Sequence, residues 1–222
     1  MAADYDYPDW YRQPDETIRL GNATLMRHVG SRIAGRIQVP HPPAPGAPEL
    51  VERDYLPHHP LEMTSAGRFT GHDWVEDDSI GYWAEATHPE QDAAKVADAM
   101  AICHGDAGFM VTDRRVSVIT AAHLFVYVRE AQKQARRKKG IVRHLLGTAT
   151  DAVLGTHNSW GHGDLMVALW EADVRRIRGW SRVWLGRSFP FPNVVRVDFV
   201  DGSVLYCRCR KGSVIDGQEV RD

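Results

Sequence analysis

The chain has 222 residues, 43% of them hydrophobic and 25% charged, with a formal net charge of −2. These values exclude collagen-like, disulfide-scaffold and wholly disordered classes, and the length suffices to bury a sizeable core without staples. The longest mostly apolar run, Val116–Val128, contains His123 and falls short of the ~20 residues that a membrane-spanning helix needs.

The start of the chain, Met1–Trp10, is acidic and aromatic and does not read as a secretory signal. Cys103, Cys207 and Cys209 cannot all pair within the chain, so reduced thiols and a cytoplasmic location are expected, peripheral to the membrane at most. Charge is unevenly spread. Residues 1–128 hold 10 Lys/Arg against 19 Asp/Glu, residues 129–187 hold 12 against 5, and residues 188–222 hold 5 of each.

Residues 1–16 lack a period and predict an extended arm. Asn22 could cap a helix running to Ile37, because Leu25, Val29, Ile33 and Ile37 recur every four residues. The proline-rich stretch 40–48 fits neither helix nor central strand and reads as a stiff linker. Phe69–Ala86 reads as one or two short strands. Thr87–Glu90 has capping-box spacing, and Ala93, Ala94, Val96, Ala97, Met100 and Ala101 predict a helix over 88–103 that stops at Gly105. Gly108–Val111 and Val116–Thr120 flank the turn Thr112-Asp113-Arg114-Arg115 and predict a hairpin. From Arg129 the period changes. Ala131, Ala135, Val142, Leu145, Leu146, Ala149, Ala152 and Val153 share a face, which predicts a long amphipathic helix over 129–154 with a basic first half. Five β-prone runs follow between Leu165 and Cys207, the last two joined by Asp201-Gly202, a tight-turn signal. Residues 211–222 read as a polar tail.

Gly108–Ile119, with its Thr-Asp-Arg-Arg turn, resembles the strand–turn–strand near the front of bacterial pleckstrin-homology-like (PH/GRAM-type) domains. Leu169–Ile177 resembles their passage from an apolar-acidic strand end into an Ile-containing strand, and Val195–Cys207 resembles their last hairpin. The pieces fall in family order within residues 108–210. The resemblance implies a small antiparallel β-barrel with anion-binding basic residues near its mouth, here plugged by the 129–154 or the 88–103 helix.

Several clusters are candidate sites. Arg129, Lys133, Arg136, Arg137, Lys138, Lys139 and Arg143 are opposed only by Glu130 and could bind an anionic membrane surface, nucleic acid or an acidic protein surface, or form a solvated helix face. Arg114, Arg115, Arg178 and Arg182, with Arg175, Arg176 and Arg187, could form a second anion site. Asp113 and Arg114 alternatively serve turn geometry and an ion pair. Asp73, Glu76, Asp77 and Asp78 beside Trp74 could hold a cation or act as acid and base, or form a solvated loop. The His157–Asp164 loop offers two histidines and an aspartate for a metal. Cys207 and Cys209, two apart, share one face of a strand and read as small apolar core residues. Trp180 and Trp184, among arginines, could meet a partner. No G-x-S-x-G, phosphate-loop or dinucleotide fingerprint occurs, so no catalytic residue is assigned.

Together these readings predict an α+β protein in three parts. Residues 1–60 form an N-terminal extension with its linker, residues 61–210 a PH-like domain with a helical insertion at 129–154, and residues 211–222 a polar tail. The expected function is a non-enzymatic binding or scaffold module without cofactor or metal, docking to a protein or an anionic surface through the basic helix. The alternatives are nucleic-acid binding by the same helix and a metal-dependent enzyme built on the His157–Asp164 loop.

Overall fold

The structure is a computed structural model and describes residues 9–24, 27–48, 50, 58–125 and 165–220. The predicted basic helix over 129–154 and the His157–Asp164 loop lie outside the described residues.

Alternation, not a helical period, governs the first part of the chain. Residues 18–38 form strands β2 (Ile18–Thr24), β3 (His28–Ile33) and β4 (Arg36–Gln38), after a short β1 (Asp9–Trp10). The helix expected over 22–37 is therefore corrected. Apolar residues four apart share a face of a strand as readily as of a helix, because four is an even number. Ala34 and Gly35, both at positive φ (50° and 79°), turn β3 back onto β4. One helical turn, α1 (Glu62–Ser65), leads to β5 (Ile80–Ala86). The predicted helix forms as α2 (Asp92–Ile102), and the predicted hairpin forms as β6 (Ala107–Thr112) and β7 (Arg115–Ala121). β8 (Met166–Asp173) and β9 (Ile177–Trp184) follow, separated by a three-residue 3-10 turn. β10 (Asn193–Phe199) and β11 (Val204–Arg208) make the Asp201-Gly202 hairpin, with Gly202 at φ 86°. Short β12 (Val214–Ile215) and β13 (Gln218–Glu219) end the described chain.

The strands divide into two sheets, not a closed barrel. One has seven strands in the order β1-β8-β7-β6-β2-β12-β13, the other six in the order β4-β3-β5-β11-β10-β9. This corrects the closed PH-like barrel, while the helix expected over 129–154 falls on residues outside those described. Among the described strands both sheets end in open edges, β3 runs parallel to β5, which an antiparallel barrel does not allow, and α2 is the one helix of seven or more residues among the described residues. The residues expected to form an extension supply β2, inside the first sheet, and β3, inside the second. The stretch expected as a polar tail supplies β12, which pairs with β2.

α2 explains the separation. Ala93, Ala94, Val96, Ala97, Ala99, Met100 and Ala101 are all buried, so the helix is apolar nearly all round, the pattern of a helix enclosed on several sides. It packs against β3 and β5 of one sheet and β7 and β8 of the other. Its alanines allow close approach. The main core gathers α2 with Leu20, Phe109, Val111, Val195, Val197, Phe199, Leu205 and Cys207 between the sheets. Each sheet also buries residues of its other face. Met110, Ile119 and Met166 pack with Trp10 on the first, and Trp83, Val194 and Tyr206 pack with Trp74 and Val75 on the second. β7 and β8 are joined at their ends by Ala122 N–H donating to the Leu165 carbonyl (2.8 Å).

On the second sheet's outer face, Trp74 stacks on Trp83 at 5.3 Å between ring centroids with 8° between planes, and Phe69 meets Trp83 edge-on. Gly30 of β3 lies beneath this pair. A Cβ there would stand 2.6 Å from two ring carbons of Trp83, which is fully buried. Gly30→Ala is expected to cost about 1–3 kcal/mol through overpacking, read as a lower urea midpoint with an unchanged slope.

Candidate functional site

The Thr112–Arg115 turn faces the chain's own acidic arm. Asp113 accepts the Thr17 N–H (3.1 Å), Arg114 pairs with Asp15, and Arg115 grips Glu16 through Nε (2.8 Å) and Nη2 (2.9 Å). Glu16 also accepts from Thr112 Oγ1 (2.7 Å) and the Gln13 N–H (2.9 Å), and its side chain is fully buried. Burial pushes the Glu16 carboxyl up, but Arg115 and these two donors outweigh it and hold the group at about 2. Arg115 further binds Glu171 (2.8 Å) and lies 5.3 Å from the centre of the Trp10 ring. The arginines considered together as a second anion site are thus distributed. Arg114 and Arg115 serve the arm, Arg176 binds Asp92 at the start of α2 (2.6 Å), and Arg175 binds Asp173 (2.7 Å). Arg178 donates to the Val200 carbonyl (3.1 Å), and no carboxylate lies within 4 Å of Arg178 or Arg182 among the described residues.

The acidic run 73–78 is a clamp. Asp73 binds Arg187 (2.5 Å), and Glu76 accepts from the Arg187 and Ser188 N–H groups and the Ser188 hydroxyl, which lower its carboxyl below the ordinary value. Asp77 is buried, taking Ser79 N–H (3.0 Å) and hydroxyl (2.7 Å) on one oxygen and the Leu61 N–H (2.7 Å) on the other. Asp78 meets three arginines, Arg27, Arg208 and Arg210. Among the described residues no group of three or more His, Cys, Asp or Glu is arranged to hold a metal ion.

One arrangement resembles a hydrolase relay in connectivity. Ser31 Oγ lies 2.7 Å from His41 Nδ1, and His41 Nε2 lies 2.8 Å from Asp98 Oδ1. The hydroxyl is 0% exposed while the carboxylate is partly open, the reverse of what an attacking serine requires. The relay instead pins the proline-rich segment between β3 and α2. All three cysteines are buried and outside any disulfide, and burial pushes the Cys207 thiol far up and Cys209 to about 12, so neither of these two is a ready nucleophile.

The surface that stands out is the β9 edge and the loop after it. β9 pairs with β10 alone among the described strands, and no described strand covers the other edge of its eight residues. Trp184 is 76% exposed and Phe189 is 90% exposed, and both rings lie near Phe191, at 6.1 and 6.3 Å between centroids. Residues 174–192 contain five arginines and no acid. Trp180, considered with Trp184, instead turns inward, packs on the core and donates to Asp216 (2.9 Å). The Asp73 and Glu76 contacts fix the base of the loop that carries Phe189. Sequence reasoning passed over Phe189 and Phe191, whose signal is an apolar pair inside a proline-flanked loop. It also passed over the Ser31–His41–Asp98 relay, which joins residues far apart in the chain.

No protein-family model matches the chain, no curated protein matches it, and no solved structure matches it. Nothing in these comparisons bears on the pleckstrin-homology-like resemblance. No helix among the described residues is long and apolar enough to cross a membrane.

Glu16→Gln is expected to destabilise the fold by about 3–5 kcal/mol at neutral pH, since it leaves Arg115 short of a buried partner. Because the Glu16 carboxyl is depressed, its contribution is complete above its unfolded value of 4.5 and is lost as pH falls toward about 2. Acid titration followed by circular dichroism should show that loss in the wild type, and Glu16→Gln should lack that part of it.

Proposed function

We propose that the chain is a protein-binding module that takes an acidic, extended segment of a partner along the open edge of β9. The observation that carries this reading is the cluster of Trp184, Phe189 and Phe191 exposed beside that edge. Large exposed aromatics are costly in water and are the residue type that anchors interfaces. An unpaired strand edge offers backbone N–H and C=O groups in a row, the template for strand addition. Charge selects the occupant. Arg178 and Arg182 lack carboxylate partners among the described residues, and the 174–192 segment carries no acid to repel an acidic strand. A second copy of the same edge would set arginines against arginines, which disfavours self-pairing. The basic residues of Arg129–Arg143 would add long-range attraction for the same partner.

Selection of random peptides by display on the intact chain tests this. The enriched peptides should be acidic with alternating apolar residues. Their affinity should fall about tenfold or more in Trp184→Ser with Phe189→Ser, with little change in melting temperature. Lys138→Glu with Lys139→Glu should slow association and leave thermal stability nearly intact. Acidic peptides that bind the double aromatic variant equally well would refute the reading. So would sedimentation showing that the aromatic change only breaks self-association, or a chain that binds DNA or anionic vesicles and no peptide.

A further inference from the structure

Three guanidinium groups converge on one carboxylate beside the 73–78 clamp. Arg27 Nη2 and Arg210 Nη2 lie 2.6 and 3.4 Å from Asp78 Oδ2, and Arg208 Nη2 lies 2.8 Å from Asp78 Oδ1. Glu76 and Asp77 stand close enough to act on Arg208 by charge, but their oxygens are bonded elsewhere. Asp77 is bonded to Ser79 and Leu61, Glu76 is bonded to the Arg187–Ser188 turn, and Arg208 Nη1 reaches only carbonyls, those of Val75 and Asp77. Arg27 is 5% exposed, yet its Nη1 is buried without a hydrogen-bond partner. A buried cation with an unused donor is costly unless a further acceptor reaches it. Burial first, and the charge of Arg27 second, push Arg208 below the ordinary arginine value against the opposing charges of Asp78, Glu76 and Asp77. The neighbouring histidines do not add acceptors of charge. His28 is held below its ordinary value, first by burial, and its Nε2 lies 3.0 Å from the His58 carbonyl.

We propose that Arg27, Arg208 and Arg210 form a binding site for a phosphate monoester, with Asp78 as its internal competitor. The chemistry fits in charge and shape. Displacing Asp78 would free three guanidinium groups, offset in part by Glu76 and Asp77, for a phosphate monoester that carries about −1.5 to −2 at pH 7. Planar guanidinium forks match phosphate oxygens, and three forks around one anion suit a tetrahedral group better than a flat carboxylate. Access is open, since Asp78 is 72% exposed and Arg210 is half exposed, while Arg27 and Arg208 form the buried floor. Asp78 occupies the donors a phosphate would take, so an incoming anion must displace it.

Calorimetric titration of the full chain with inorganic phosphate in chloride buffer tests the site, with phenyl phosphate as the monoester probe. The wild type should bind both saturably. Asp78→Asn, which removes the competing charge, should bind about tenfold tighter, and Arg210→Ala should bind about tenfold more weakly. Phosphate should also raise the melting temperature of Asp78→Asn more than that of the wild type. If Asp78→Asn does not fold, Arg210→Ala decides alone. The proposal is overturned if phosphate binding is absent, if it is unaltered in Arg210→Ala, or if a folded Asp78→Asn gains no affinity. Binding to phosphatidic acid vesicles without saturable binding of inorganic phosphate overturns it as well. None of these results touches the β9 reading, because Trp184, Phe189 and Phe191 take no part in the cluster.

Discussion

The architecture depends on a helix that cannot face water. α2 buries seven of its eleven residues as apolar side chains, five of them alanines or valine between Ala93 and Ala99, and such a helix must be enclosed. Two sheets held apart by its width satisfy that need, and a single sheet curled on itself would not. Arg176 reinforces the placement from outside, binding Asp92 at the first turn, where an acidic residue also suits the helix dipole. Kept apart in this way, each sheet has edges that no other described strand covers. The β9 edge, with its aromatic neighbours, is one of them.

A second constraint is electrostatic and runs across the chain. The first 128 residues are strongly acidic, and later segments are basic or balanced. The structure converts part of that imbalance into pairs that tie early elements to late ones. Asp73 meets Arg187, Asp78 meets Arg208 and Arg210, and Asp92 meets Arg176. The more buried of these contacts fix register and loop position, whereas exposed pairs of this kind add little to stability. Glu16 and Arg115 are the extreme case, with a fully buried carboxylate satisfied on both oxygens.

Much of the local structure was legible in the sequence. The spacing of small apolar residues marked α2, the Thr-Asp-Arg-Arg turn marked the β6–β7 hairpin, and Asp201-Gly202 marked the β10–β11 turn. These signals are local and rest on backbone preferences within a few residues. The misreadings came from non-local pairing. The parallel contact of β3 with β5 spans some fifty residues and leaves no local trace, and the four-residue spacing from Val29 to Ile33 fits a strand face as well as a helix face. The candidate sites show the same divide. Alternation in Cys207-Arg208-Cys209-Arg210 put both thiols on the core face, and the same alternation puts both arginines on the other, where Asp78 waits. That Arg27 would join them depends on how the first strands dock, which no spacing reveals.

The bond between Ala122 and Leu165 has an evolutionary corollary. The two flanks of residues 126–164 meet at one point of the first sheet, so whatever chain lies between them departs and returns through a single doorway. The β7–β8 pairing itself is made by residues on either side of that segment. The sheet therefore tolerates growth, shrinkage or exchange of the intervening segment as a cassette, and new chemistry can be grafted there without redrawing the scaffold.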